Sequence, residues 1–417
     1  MRSLLGLACV AALVLPARAG AKEPARGGAA RLTLAQAEAL VREVSTTVEQ
    51  FRRLRFKTPV AVEVVDGATA RKDFESEIDD SDREEAKRTH DAWVHLGLIP
   101  EKTDLVRAHL DLAESGLLGY YQTGSKKFRL LDHVPDAEIR AVMAHELTHA
   151  LEDQHYDLEA LQKRATTEDH AVAIRAVVEG SAMVATLSML SRQGGLGKAK
   201  EEAAKTNQAR AETVRGAPTF VQMRLLMPYT LGFSFLLRGK PWEWLYDGVR
   251  VEDIERAYAD PPHSTTEILH PEQYWGAHRA SAPKLSLPDL SRTLGPGWSL
   301  VVTGSIGELG LTMLTGMPLR SESYEALLPT RWTTPGATGT AGDIYQHYVG
   351  GERKVTVLLT RWESMRDADE FERSLRGPTK VPYRLGANIL VLMGDLGENR
   401  DALAIEAVRN LPYWAGH

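Results

Sequence analysis

The sequence predicts an α+β chain: a predominantly helical part with a small sheet, followed by a small C-terminal α+β region. Three observations predict it. Apolar residues recur at helical spacing through much of 32–237. Short β-branched runs interrupt them, and beyond about residue 284 the pattern shortens to strands and turns. With 43% hydrophobic and 25% charged residues, the 417-residue chain has the composition of ordinary globular proteins. The length allows two domains or one large one.

Residues 1–19 read as a signal peptide. Arg2 precedes the apolar run from Leu4 to Leu15, then Pro16 and the small-residue pattern Ala17-Arg18-Ala19, with Ala19-Gly20-Ala21 as an alternative cleavage point. The run is too short to span a bilayer, and no later segment is expected to reach the roughly 20 apolar residues that would. The expectation is a protein exported to the periplasm or beyond, without an integral span. The one cysteine, Cys9, lies in that run, and Gly6-Leu7-Ala8 before it do not suit a lipid acceptor. Once the leader is removed, disulfides are excluded, and His and carboxylates must hold any metal. A net charge of −6 gives no sign of a nucleic-acid partner.

Residues 20–31 read as a flexible lead, and 32–283 as the main domain. Leu32 to about Arg55 has helical spacing, with Thr33 as a possible N-cap. Pro59–Val65 reads as a strand, and Ala68–Leu98 as one or two charged helices whose run Asp73–Glu85 is a solvated face. After a short helix over Leu105–Leu112, Gly119–Gln122 and Lys127–Leu131 flank Thr123-Gly124-Ser125 as a hairpin. A helix over roughly 135–164 follows, then an apolar one over Ala171–Leu190.

The 135–164 helix carries His145-Glu146-Leu147-Thr148-His149, an H-E-x-x-H motif. Residues four apart share a helix face, so both rings can turn a nitrogen toward one ion. Glu146 then stands beside that ion as the group that takes a proton from an activated water, the arrangement of a zinc peptidase. Two His and a Glu can also decorate a solvated helix. Here Ile139, Val142, Met143, Ala150 and Leu151 predict a buried face instead, where a metal would satisfy the ring nitrogens.

A third ligand has two candidates. Glu179 sits in a helix that is apolar almost all round, where a carboxylate is costly unless paired or metal-bound. His155 completes the spacing H-E-x-x-H-x-x-G-x-x-H, except that Glu152 replaces the glycine that turns the chain back. Without that turn the helix continues and carries His155 away, which favours Glu179.

The stretch His145 to Asp157, with Val177-Val178-Glu179-Gly180 after it, resembles the gluzincin branch of the zincin superfamily. More narrowly, together with Pro262 and Ser264–Pro271, it resembles a group of exported bacterial and archaeal metallopeptidase-like proteins. The resemblance implies one catalytic zinc at His145, His149 and Glu179, Glu146 as general base, and a peptide or protein substrate. It also implies a strand ahead of the motif helix that borders the cleft. In many gluzincins an Asp four residues after the Glu ligand orients the first His; here that position is Met183. Asp153, Asp169 or a backbone carbonyl would have to serve. The alternative expectation is an exported zinc-containing binding or surface protein that does not turn over peptide.

Residues 195–215 are Lys/Ala/Glu-rich, a solvated helix. Phe220–Leu237 is apolar but broken by Met227-Pro228-Tyr229 and Gly232. Tyr229, His270 and Tyr274 are candidate donors to a developing oxyanion, His270 preferred, although capping by Ser264 and Thr265 explains its segment nearly as well. Pro283, Pro288, Gly295 and Pro296 punctuate a linker-like start to 284–417. Asp343–Val349 and Lys354–Thr360 then suggest a second hairpin, followed by a helix over Asp367–Leu375, a strand over Tyr383–Met393 and a helix over Ala402–Leu411.

Overall fold

Capping and apolar spacing set the first helix of the computed structural model, which describes residues 8–10, 32–115, 117–192, 216–241, 249–277, 279, 285–316, 329–375, 380–409 and 411. The expected lead over 20–31 and helix over 195–215 lie outside these residues. In α1 (Leu34–Arg52), Thr33 and Gln36 form a reciprocal capping box, and Ala37, Val41, Val44 and Val48 make one buried stripe. β2 (Ala61–Val65) follows, then α2 (Gly67–Glu77), α3 (Asp80–Leu96) and α4 (Leu105–Ser115). Most of the acidic run across α2 and α3 is exposed, as expected, with Asp82 buried and Asp73 partly so. Asp73 accepts from Tyr120 and Arg129, while Asp79 and Asp82 form the capping box of α3.

β3 (Gly119–Gln122) and β4 (Lys127–Leu131) form the expected hairpin. β2 lies parallel to β4, and β1 (Ala8–Val10) lies antiparallel on the outer edge of β3, giving the order β1-β3-β4-β2. α5 (Asp136–Tyr156) crosses this sheet, and Val142 comes so near Gly119 that a Cβ there would meet its Cγ1 at 2.8 Å. Ile139, Val142, Met143 and Leu147 of α5 share a core with α1, Val62, Phe128 and Leu130. The helix expected to reach 164 breaks at Asp157. There the backbone turns left-handed (φ 51°), which Asp tolerates, and its carboxylate caps α6 (Leu158–Lys163) through Ala160 N–H.

α7 (Glu168–Arg192) runs through the centre beside α8 (Thr219–Leu236). α8 is continuous through Pro228, contrary to the expected break. Thr230 Oγ1 bonds the carbonyls of Leu226 and Met227 beside the ring, a common way to accommodate a helical proline. Gly232 of α8 meets Gly180 of α7 backbone to backbone. A Cβ on Gly232 would lie 2.0 Å from the Ala176 carbonyl oxygen. By length and composition α7 could cross a membrane, which the sequence did not suggest, but 94% of its apolar window is buried in the fold, as in a core helix.

Short helices α9 (Val251–Ala259), α10 (Thr265–Leu269), α11 (Pro271–Trp275) and α12 (Ser291–Leu294) lead to a second sheet. β5 (Ser299–Gly304) and α13 (Gly307–Leu314) stand where no elements were expected. β6 (Thr340–Gly350) and β7 (Arg353–Trp362) are the predicted hairpin. After α14 (Met365–Ser374), the single strand expected over 383–393 is a hairpin instead. β8 (Val381–Leu385) and β9 (Asn388–Gly394) turn at Gly386, φ 61°, and α15 (Arg400–Val408) is the last described helix. The sheet is antiparallel throughout, in the order β5-β6-β7-β9-β8. Both faces are buried: Leu358, Ile389 and Val391 pack with Trp93 and Leu96 of α3, and Val357, Leu359 and Leu392 with Leu403 of α15. The fold class is α+β, as expected.

Candidate metal centre

α5 presents His145 and His149 one turn apart on its buried side, with ring centroids 4.7 Å apart. α7 crosses that side and brings Glu179 to both. Its Oε2 lies 3.2 Å from His145 Nε2 and 3.3 Å from His149 Nε2. One potential ligand atom from each of the three lies within 4.8 Å of the others. Nitrogen and oxygen ligands about 2.0–2.1 Å from a tetrahedral ion stand about 3.3 Å from one another. The spacing is that of a ligand set around one ion, and the three residues can hold a metal.

Electrostatics point the same way. The three side chains are at most 3% exposed. Burial lowers the His145 ring below the usual histidine range, so it is neutral and has a lone pair to offer. Burial alone would raise Glu179, but the His149 and His145 rings outweigh it and bring the carboxyl down to about 2. A buried carboxylate between two imidazoles is stabilised by a cation among them.

Glu146 is fully buried on the same helix, and its Oε2 accepts the Tyr121 N–H of β3 at 2.7 Å. Tyr121 also donates its hydroxyl to Asp153, two turns further along α5 (2.8 Å). It thereby clamps the motif helix to the hairpin at two points. A positioning role for Tyr121 was not singled out in the sequence; the hairpin immediately before the motif was its only signal.

Glu152, which stands where a glycine would redirect the chain, keeps α5 helical and joins the elements behind the site. It accepts from Arg52 Nε of α1 (2.7 Å), Ser181 of α7 and Tyr258 of α9. Ser181 is two residues beyond Glu179, so this buried network sets how α5 and α7 cross. His155 is carried away, as expected, and its Nε2 lies 2.8 Å from the Arg55 carbonyl oxygen.

Other expected participants lie elsewhere. His270 Nε2 lies 2.9 Å from Glu308 Oε1, and no hydrogen bond or ion pair joins it to the cluster among the described residues. Its segment packs near Asp169, which accepts from Thr265 and lies about 15 Å before Glu179 along α7. Asp169 and Asp153 are thus both engaged away from the two metal-site rings, and Met183 is buried. Tyr274 donates to the Asp260 carbonyl. Tyr229 alone of the three donor candidates reaches the cluster, its ring stacked at 6.0 Å from that of His145. Met227 is fully buried core. No family model, curated protein or solved structure matches the chain.

Proposed function

We propose that this protein is an exported zinc-dependent peptidase, with His145, His149 and Glu179 as ligands and Glu146 as general base. The observation that carries the proposal is the tetrahedral-edge spacing of the two Nε2 atoms about one Glu179 oxygen, with Glu146 held beside them. Two nitrogens and one oxygen, with no sulfur, suit zinc in a catalytic rather than a structural site. A zinc ion held there supplies Lewis-acid polarisation of a carbonyl and lowers the pKa of water toward about 7.

Glu146 takes a proton from the attacking water and delivers it to the leaving amine, so one carboxylate acts as base and then as acid. The Tyr121 N–H fixes that carboxylate in place. The outer edge of β3 suits an extended peptide, since Ala8–Val10 already pairs there antiparallel with Cys9 opposite Tyr121. The leader-like residues 1–19 support the placement outside the cytoplasm.

Glu146→Gln keeps an oxygen for the Tyr121 N–H but cannot take the proton. Zinc content should be unchanged and chelator-sensitive peptide cleavage should fall about 10²–10⁴-fold. Cleavage at the wild-type rate would refute the assignment of the base. Enclosure favours a second proposal: Glu146 and His149 are fully buried, as in a zinc site that holds the fold without turnover. Zinc bound stoichiometrically, with no cleavage across a varied peptide library, would establish that alternative.

A further inference from the structure

A second pair of histidines meets in the C-terminal region. His347 on β6 is fully buried, and its ring lies 5.2 Å from that of His95, at 89°, in the last turn of α3. His347 Nδ1 is 2.7 Å from Thr356 Oγ1 on the neighbouring strand, while its Nε2 has no hydrogen-bond partner among the described residues. His95 is half-buried, and its Nδ1 is likewise buried without a hydrogen-bond partner among the described residues. Two orphaned ring nitrogens in adjoining imidazoles call for an explanation, because buried polar atoms are nearly always satisfied.

We propose that His95 and His347 form a second metal site, for a late first-row divalent cation such as zinc or copper(II). Imidazole nitrogen is the usual protein ligand for these ions. The Thr356 hydroxyl beside Nδ1 is the outer contact that ligating histidines generally have, leaving Nε2 to face the ion. Burial lowers both rings, His347 to about 4, so both are neutral at physiological pH and keep their lone pairs. Asp91 and Asp395 add negative charge near His95, and Lys354, paired with Asp91 at 2.6 Å, opposes it. The half-buried His95 leaves a solvent side for water to complete the coordination. The pair is independent of the α5–α7 cluster, so this site stands whether or not that one is catalytic.

The test is metal content per chain after stripping with chelator and dialysis against zinc chloride. Wild type, Glu179→Ala, His95→Ala and His347→Leu would be compared. The expected counts are two, one, one and one, and the double variant Glu179→Ala/His95→Ala should hold none. His95 is only half-buried, so its variant reads the site even if His347→Leu does not fold. Loss of one zinc on His95→Ala supports the site whatever Glu179→Ala does. An unchanged count in His95→Ala overturns it, and loss confined to Glu179→Ala overturns it while leaving the peptidase centre intact.

Discussion

At the residue scale, two imidazoles and two carboxylates from helices α5 and α7 make up the candidate metal centre. The i, i+4 histidines and a glutamate in an apolar helix were legible in sequence, because helical periodicity alone fixes which face they share. What Tyr121 and His270 touch was not legible, because their partners come from other elements: Glu146 and Asp153 for Tyr121, Glu308 for His270. Arg52 was equally silent in the sequence. It is fully buried, 2.7 Å from Glu152 and 3.0 Å from Glu255. Arg52→Met would leave the Glu152 charge buried without its guanidinium, and should cost about 3–5 kcal/mol in denaturant unfolding. A loss below about 1 kcal/mol would mean that Glu152 is satisfied without it.

Among the elements, the α7–α8 crossing matters most. Helix and strand spans followed periodicity well where the pattern was local, as in α1, α7 and the β6–β7 hairpin. They failed where a neighbour decided the outcome. Pro228 and Gly232 look like helix breakers in sequence, yet Gly232 is the contact that brings α8 against α7. The turn at Gly386 was hidden because apolar residues flank it on both sides. Gly232→Ala would drive a methyl into the Ala176 carbonyl and push α7 away. The expected cost is about 1–3 kcal/mol, with weaker retention of the proposed zinc because Glu179 adjoins the contact. Thermal melts with and without zinc would show it: the zinc-induced shift should shrink along with the melting temperature.

For the whole molecule, the junction of α7 with the second sheet carries a set of buried acids. Asp343 of β6 accepts from Ser305, Ile306 and Gly307 at the start of α13, and burial pushes its carboxyl up to about 7. Asp169 is pushed up by burial to about 6, with Glu308 adding to the effect and Arg224 opposing it. Nearby, Glu168 meets Tyr345 and Ser305. A carboxyl whose folded pKa exceeds its unfolded value of 3.8 keeps its proton longer when folded. Between about pH 4 and 7 the folded state therefore binds more protons, and stability falls as pH rises. Asp343→Asn cannot ionise, so it should gain on wild type across that window in urea titrations at stepped pH. A gap independent of pH would show that Asp343 does not titrate there.

The apolar face of α3 has a consequence for biogenesis. Its Trp93 and Leu96 find their partners in Leu358, Ile389 and Val391, nearly three hundred residues downstream. At roughly 5–20 residues per second, that face waits about 15–60 s on the nascent chain for the strands that cover it. During that interval the N-terminal half is a client for whatever shields hydrophobic surface in the cell. Expression of 32–283 alone would make the exposure permanent, so that fragment should aggregate where the full chain does not.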